Sequence, residues 1–253
     1  VYFFDSTNPL ILPCMLLLGV LGGMAWAAMP ALLKTRFNAN EILVSLMLVY
    51  VAELLLVHLV QGPWRNPQGW GFPGTRMFPD VALLPMFFPG YRVHLGTLIA
   101  VLIPFGVWFV MMRTRFGFQI RVFGSAPLAA RHAGIGSSQM VWTTLMVGGG
   151  FAGLAGVMEA ASTIGQLMPK ISPGYGFTAI IVAFLGRLHP VGVLLAGTVI
   201  AVTYIGGESA QISAGLPKAV TGLFQGIILF YLLAFDLLTR YRLTRVRTRG
   251  NTA

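Results

Sequence analysis

The sequence predicts an all-α membrane protein, a polytopic bundle of about seven transmembrane helices that includes one short or broken helix. Of its 253 residues, 56% are hydrophobic and only 9% are charged, whereas about a quarter of the residues in soluble domains are charged. Long apolar runs separate the charges, and a membrane-spanning helix needs about 20 mostly apolar residues. The predicted spans, in chain order, are Leu10–Leu33, Ile42–Val60, Leu95–Met112, Met140–Ala161, the short Phe177–Leu185, Val191–Ile205 and Ala219–Leu238.

The basic residues predict how these spans are oriented. If seven spans alternate, twelve of the 17 Lys and Arg residues fall on one side, which the positive-inside rule makes cytoplasmic together with the C-terminus. The twelve are Lys34, Arg36, Arg113, Arg115, Arg121, Arg131, Arg187, Arg240, Arg242, Arg245, Arg247 and Arg249. A soluble nucleic-acid binder is excluded despite the net charge of +10, because its basic residues would share a water-facing surface.

We expect a single transmembrane domain over residues 1–253. Val1 is not an initiator methionine and no basic signal-peptide region follows it, so we expect the domain to be incomplete at its N-terminus. An extracytoplasmic loop at 62–94, a cytoplasmic loop at 113–139 and a basic cytoplasmic tail at 239–253 complete the predicted organisation. Glycine pairs four residues apart predict close helix packing. These pairs are Gly19/Gly23, Gly149/Gly153 and Gly222/Gly226.

Catalytic and metal-binding motifs are absent from the sequence. No Walker motif, paired-carboxylate spacing, serine-hydrolase elbow or zinc-protease motif occurs, and the four histidines lie on separate segments. We therefore expect neither an enzyme, nor a metal site, nor a cofactor in this chain. Any energy from ATP would have to come from a partner.

Three of the acidic residues have local interpretations. Asn38 can cap the helix that starts near Ile42, with Glu41 reaching back as in a capping box. Glu53 and Glu159 lie in or near apolar spans, where an ionised side chain is costly unless it faces a polar cavity. They either line a solute pathway or sit near the outer headgroups, and the sequence leaves both possibilities open.

The segment 121–135 predicts a short cytoplasmic helix. Ser125 can supply its cap, Pro127 suits its first turn, and Gly134 ends it. So short a helix is unstable alone in water, which indicates that it docks on something. A groove of another protein and a plain connector remain alternatives at this point.

This segment resembles the coupling helix of ABC importer permeases of the branched-chain amino acid, ribose and nucleoside class. It matches the pattern of that class at Gly124, Ala129, Ala130, Gly134 and Ile135, with Ala126 where Asn is usual. The stretches at 37–52 and 172–190 also resemble family signatures, and the Gly-Pro-Trp-Arg loop at 62–65 is most similar to the nucleoside branch.

The resemblance implies a permease that moves a nucleoside or similar small polar solute inward. Its partners would be a second permease subunit, cytoplasmic ATPase subunits that bind ATP and Mg²⁺, and an extracytoplasmic solute-binding protein. The membrane would be the cytoplasmic membrane of a bacterium or archaeon. The residues expected to couple to the ATPase are Gly124, Ser125, Ala126, Pro127, Ala129, Ala130, Arg131 and Gly134.

A solute pathway is expected beside the helix break at 172–176, where carriers commonly expose backbone groups to solute. Its candidate residues are Tyr50, Glu53, Glu159, Tyr175 and Phe177. One alternative is a proton-coupled secondary carrier that uses Glu53 or Glu159, and another is a membrane scaffold that transports nothing.

Overall fold

The structure, a computed structural model, describes residues 8–240 except Trp70, residues 88–92, Leu216 and Lys218. The basic tail beyond residue 240 and part of the extracytoplasmic loop, both predicted above, lie outside the described residues. The chain divides into two compact units, Val1–Pro173 and Gly174–Ala253.

Every predicted span coincides with an α-helix, and the described residues contain no strand beyond an isolated bridge between Met86 and His94. Within the described residues, five helices are long and apolar enough to cross a membrane: α1, α2, α3, α6 and α8. The nine helices of the described residues are α1 Ile11–Phe37, α2 Glu41–Gln61, α3 Leu95–Arg113, α4 Arg115–Ser125, α5 Pro127–His132, α6 Ser137–Glu159, α7 Tyr175–Leu185, α8 Pro190–Ala214 and α9 Ala219–Arg240.

The first unit is built on an antiparallel pair, α1 and α6. A Cβ added at Gly23 would collide with the carbonyl oxygen of Gly149 and lie 2.9 Å from the Cα of Gly153. Towards the ends of the same pair, the indole Nε1 of Trp142 donates to Thr35 Oγ1 over 3.2 Å. The helices can approach this closely because glycine leaves the backbones in direct contact, as in many membrane helix pairs.

The third predicted glycine pair behaves differently. A Cβ added at Gly222 or Gly226 would meet nothing within 4 Å among the described residues, so the described part of the chain does not show the close packing predicted at this pair. The close contact in that part of the molecule forms at Gly207, where an added Cβ would lie 2.7 Å from Thr221 Cγ2.

The predicted extracytoplasmic loop is ordered against the C-terminal end of α6. Thr75 N–H donates to Leu167 O, and Leu167 N–H donates to Thr75 Oγ1, each over 3.0 Å. Further along the loop, Leu84 N–H donates to Ala161 O, also over 3.0 Å. Leu84 and Ala161 then form a buried apolar cluster with Met158. Backbone pairing and apolar contact thus hold the loop in place.

The second unit contains α7, α8 and α9. The turn between α7 and α8 is tight, because Arg187 and Leu188 both adopt positive φ values, 52° and 55°, and a Cβ on Gly186 would lie 2.7 Å from Gly192 C. The prediction that α8 ends at Ile205 is wrong, since the helix continues to Ala214. Glycines 206 and 207 do not interrupt it, and Gly207 instead admits Thr221 of α9.

Candidate functional site

The segment predicted to be a coupling helix folds as α5, directly after α4. Ala126 separates the two helices with φ −145° and ψ 75°, and Pro127 is the first residue of α5, as predicted. The prediction that Ser125 caps this helix is wrong. Ser125 is the last residue of α4, and its Oγ donates to Arg121 O over 2.9 Å. Its hydroxyl is therefore engaged by the preceding turn.

The end of α5 follows the prediction. Gly134 has a φ of 80°, which favours glycine, and its N–H donates to Arg131 O over 3.1 Å. Ile135 N–H then donates to Ala130 O over 3.0 Å, which closes the helix with a hydrogen-bond pattern typical of a glycine C-terminus.

The two alanines of the coupling motif have opposite environments. Ala130 is fully buried, at 0% exposure, whereas Ala129 is exposed. The most prominent apolar side chain on α5 is Leu128, which is 72% exposed. Leu128, Arg131 and His132 recur at helical spacing and form one exposed face. Sequence reasoning missed Leu128 because it occupies a variable position of the motif. Its spacing from Arg131 and His132 was the available signal.

The corner between α1 and α2 corrects the predicted cap. Asn40, not Asn38, is the N-cap of α2, since its Oδ1 accepts from Ile42 N–H over 3.0 Å. Asn38 ends α1 in the left-handed conformation, with a φ of 50°. Glu41 does not form the predicted capping box but makes an ion pair with Lys34, at 2.9 Å between Nζ and Oε2. The left-handed Asn38 thus ends α1, and the extended Asn40 begins α2.

Three of the predicted pathway residues lie in the first unit. Tyr50 and Glu53 lie one turn apart on α2, and both are exposed in this chain. Glu159 is half-buried and is the last residue of α6, directly before a π-helical turn at Ala160–Ile164. Such turns are frequent at functional sites. The other two candidates, Tyr175 and Phe177, belong to the second unit, so the union of all five in one pathway stays a prediction.

Tyr175 lies beside a cluster of two hydroxyl groups, those of Thr178 and Tyr204, at the start of α7. Gly174, with a φ of 103°, precedes the helix, and the rings of Tyr175 and Tyr204 meet edge to face at a centroid distance of 6.1 Å. The hydroxyl of Tyr204 lies 2.9 Å from Thr178 Oγ1, and Thr178 is only 8% exposed. Tyr204 and Thr178 were not predicted. Thr178 lies four residues after the break at Gly174, which was a weak sequence signal, and no sequence signal marks Tyr204.

Phe177 lies on the exposed side of α7, at 44% exposure. Gln225 of α9 is buried at 8% exposure, and its Nε2 has no hydrogen-bond partner among the described residues. Unpartnered polar groups are costly in apolar surroundings, so the second unit holds an amide donor that is still available for bonding.

Each unit also contains a cleft. In the first unit, the ordered loop and residues 166–170 enclose about 570 Å³, with Asn66, Phe72, Thr75, Gln166 and Lys170 in the lining. In the second unit, a cleft of about 270 Å³ between α8 and α9 is lined by Thr203, Gly207, Gln211 and Thr221, among others. Within the described residues, no three His, Cys, Asp or Glu side chains come together as a metal site would require.

Comparison with known proteins identifies the family of this helical architecture. Residues 1–233 match the family model described as the branched-chain amino acid transport system / permease component. The chain belongs to this family.

Two relatives extend the likeness over nearly the whole chain. The glucose ABC transporter permease protein TsgB13 of Haloferax volcanii is 37% identical over 96% of this chain and 67% of its own length. The guanosine ABC transporter permease protein NupP of Bacillus subtilis is 28% identical over 98% of this chain and 71% of its own length. A nucleoside ABC transporter permease protein of Lactococcus lactis, NupC, is 24% identical over 81% of this chain. No solved structure matches significantly.

Membership of the family confirms the predicted class. The chain is a multi-pass membrane permease of ABC transporters, a family of transport rather than catalytic components. Such a permease works with ATPase and solute-binding components. The signature stretch at 172–190 forms two structural features. These are the helix break at 172–174 and the tight turn at Gly186.

Proposed function

We propose that this permease moves a small, uncharged, hydroxyl-bearing solute inward, a nucleoside or a similar polar molecule such as a sugar. The observation that carries this proposal is the hydroxyl cluster at the start of α7. There Tyr175, Thr178 and Tyr204 present aromatic and hydroxyl groups beside a helix break at Gly174. The named relatives transport glucose, guanosine and nucleosides, which share this chemistry.

The length of α7 supports a pathway beside it. Its 11 residues, at about 1.5 Å each, cover about half of the roughly 30 Å hydrocarbon core. Broken helices of this kind are tolerated where they are covered by protein or line a polar cavity. Phenol and hydroxyl groups can exchange hydrogen bonds with ribose or hexose hydroxyls, and a tyrosine ring can stack on a nucleobase or sugar face. Tyr50, Glu53, Glu159 and Phe177 remain candidate lining residues of the same pathway.

Cytoplasmic ATPase subunits would supply the energy, binding ATP and Mg²⁺ outside this chain. The exposed face of α5, formed by Leu128, Arg131 and His132, is the surface that we assign to the ATPase. Ala130 lies on the opposite side and anchors α5 to the permease. In this arrangement Ala126 forms the bend before α5, and Gly134 forms the turn after it. ATP-driven motion of the partner then reaches the spans through a helix that is held at both ends.

The orientation follows from the same assignment. With α5 and the basic tail in the cytoplasm, the ordered loop and its cleft of about 570 Å³ lie on the outer face. That face would meet the extracytoplasmic solute-binding protein. A second permease subunit would complete the translocation pathway between the two permeases.

The test is uptake by the complete transporter reconstituted in proteoliposomes with its ATPase and binding protein. We expect ATP-dependent accumulation of a radiolabelled nucleoside or hexose and none of a branched-chain amino acid. Uptake of a branched-chain amino acid alone would refute the proposed solute class. Uptake that needs a pH gradient and no ATPase would refute the proposed mechanism in favour of a proton-coupled carrier.

Variants of the hydroxyl cluster locate the pathway. Thr178→Val and Tyr204→Phe each remove one hydrogen-bonding group, which is worth about 1 kcal/mol, or about fivefold in KM. Thr198→Val is the matched control, because among the described residues Thr198 Oγ1 donates only to Leu194 O of its own helix, over 2.9 Å. Equal effects in all three variants would contradict a solute contact at the cluster.

A further inference from the structure

Helix α4 is an amphipathic helix that sequence reasoning did not predict and that the transport function does not explain. It follows α3 after the single residue Thr114, whose Oγ1 accepts from Gly117 N–H over 3.2 Å and caps the new helix. The chain therefore leaves a membrane-spanning helix and starts a second helix at once. A helix that starts at the end of a span begins at the level of the lipid headgroups.

Two contacts fix how α4 lies against the end of α3. A Cβ added at Gly117 would lie 2.5 Å from the Cα of Met111, so the helices touch backbone to backbone there. Four residues later, Arg121 Nη1 lies 3.5 Å from Met112 Sδ. Both contacts fall within the last four residues of α3. Helix α4 therefore crosses the end of the span rather than running back along it.

The exposed face of α4 carries an aromatic ring between two cations. Arg115, Phe118 and Arg121 recur every three residues, and all three are exposed, with Phe118 at 59%. The sequence contains no Asp or Glu between Asp80 and Glu159, so no acidic side chain near in sequence neutralises these arginines. Interfacial helices combine basic residues with aromatic side chains that enter the headgroup boundary.

The contact of Arg121 with Met112 shows which side of the span this face adjoins. Met112 lies on the same side of α3 as Phe105 and Phe109, and these three side chains are 38%, 47% and 57% exposed. An apolar stripe of a membrane span that its own chain leaves uncovered is suited to lipid. Arg121 thus adjoins a side of the span that lipid can reach in this chain.

We propose that α4 is an interfacial helix that binds anionic lipid headgroups. Phe118 enters the boundary between headgroups and acyl chains, and Arg115 and Arg121 bind lipid phosphates. Basic residues near a membrane surface are attracted to anionic lipids, and the guanidinium fork suits phosphate oxygens. Lipid binding by α4 does not depend on which solute is transported. The role of the lipid-bound helix would be to hold the start of α5 at a fixed depth.

One test uses a fluorescent probe in the full transporter. An environment-sensitive dye is attached at Phe118→Cys in a Cys14→Ser background. The control dye is attached at Ala133→Cys, an exposed position directly after α5 and outside the face assigned to the ATPase. In vesicles containing brominated phosphatidylcholine, we expect quenching of the dye at 118 and none at 133. Absence of quenching at 118 in the assembled complex would overturn the proposal. Quenching at 118 that occurs only in permease reconstituted without the ATPase would assign the face to that protein and would equally overturn the proposal.

A second test measures lipid preference. The transporter is reconstituted in phosphatidylcholine with phosphatidylglycerol, and the phosphatidylglycerol that remains bound on purification is quantified. We expect Arg115→Gln and Arg121→Gln each to lower the preference about fivefold. Arg131→Gln on α5 is the control and should leave the preference unchanged. An unchanged preference in the Arg115 and Arg121 variants would overturn headgroup binding.

Discussion

Small residues serve two different purposes in this chain, and α1–α6 and α5 show the contrast. Between α1 and α6, glycines 19, 23, 149 and 153 bring two backbones of the same chain into contact. On α5, Ala130 is buried, yet the neighbouring Ala129 and Leu128 face outward. A run of small residues therefore does not by itself distinguish internal packing from a docking surface. Burial and close approach distinguish them.

The largest effect is expected at the glycine contact. Gly153→Leu places a side chain where even a Cβ would collide with the carbonyl oxygen of Gly19. The cost exceeds the roughly 1–3 kcal/mol typical of overpacking, because backbone rather than a flexible side chain must move. We expect loss of the folded permease, measured as membrane-inserted protein that stays monodisperse after extraction in detergent.

Gly156→Leu is the matched control on the same helix. A Cβ at Gly156 meets nothing within 4 Å in the described part of the chain, so we expect this variant to fold. Equal losses in both variants would mean that glycine content, not the α1 contact, governs stability.

The next effect separates the two sides of α5. Ala130→Asp buries a carboxylate at a fully buried position and should reduce the amount of folded protein. Leu128→Asp should leave folding unchanged and abolish co-purification of the ATPase. Leu188→Asp is the control for an exposed leucine, since Leu188 is also 72% exposed and lies outside α5. ATPase retention by the Leu128 variant would contradict the assigned face.

The smallest effect is expected at the helix cap beside α1. Asn40→Ala removes the acceptor for Ile42 N–H, and caps of this kind contribute about 1 kcal/mol. Asn38→Gly should be nearly neutral, because glycine adopts the positive φ of 50° at least as readily as asparagine. Thermal unfolding of the purified permease measures both. A larger loss for the Asn38 variant would restore the predicted cap at that residue.

Much of the fold could be predicted because apolar length and charge asymmetry are strong signals in membrane proteins. Each of the seven predicted segments is helical, and the glycine pairs of α1 and α6 meet as expected. The end of α8 could not be predicted, since a Gly-Gly-Glu run usually weakens a helix. Here Gly207 lets Thr221 of α9 approach the helix closely, a contact that exists only after folding.

The candidate sites were harder to predict for the same reason. Asn38 and Asn40 are both good capping residues, and only the backbone conformation decides between them. Ser125 looked like a cap because its place in α4 was not foreseen. Leu128, Thr178 and Tyr204 carry no motif of their own. Leu128 stands out because its side chain is exposed, and Thr178 and Tyr204 stand out because they hydrogen-bond to each other.

ATP-driven uptake by the reconstituted transporter tests the central claim most directly. The wild-type complex, the Leu128→Asp variant and the Leu188→Asp variant are compared with labelled nucleoside or hexose, with and without ATP. We predict uptake that requires ATP in the wild type and in the Leu188 variant, and at least a tenfold loss in the Leu128 variant although its permease is folded. Undiminished ATP-driven uptake by the Leu128 variant would contradict coupling through α5.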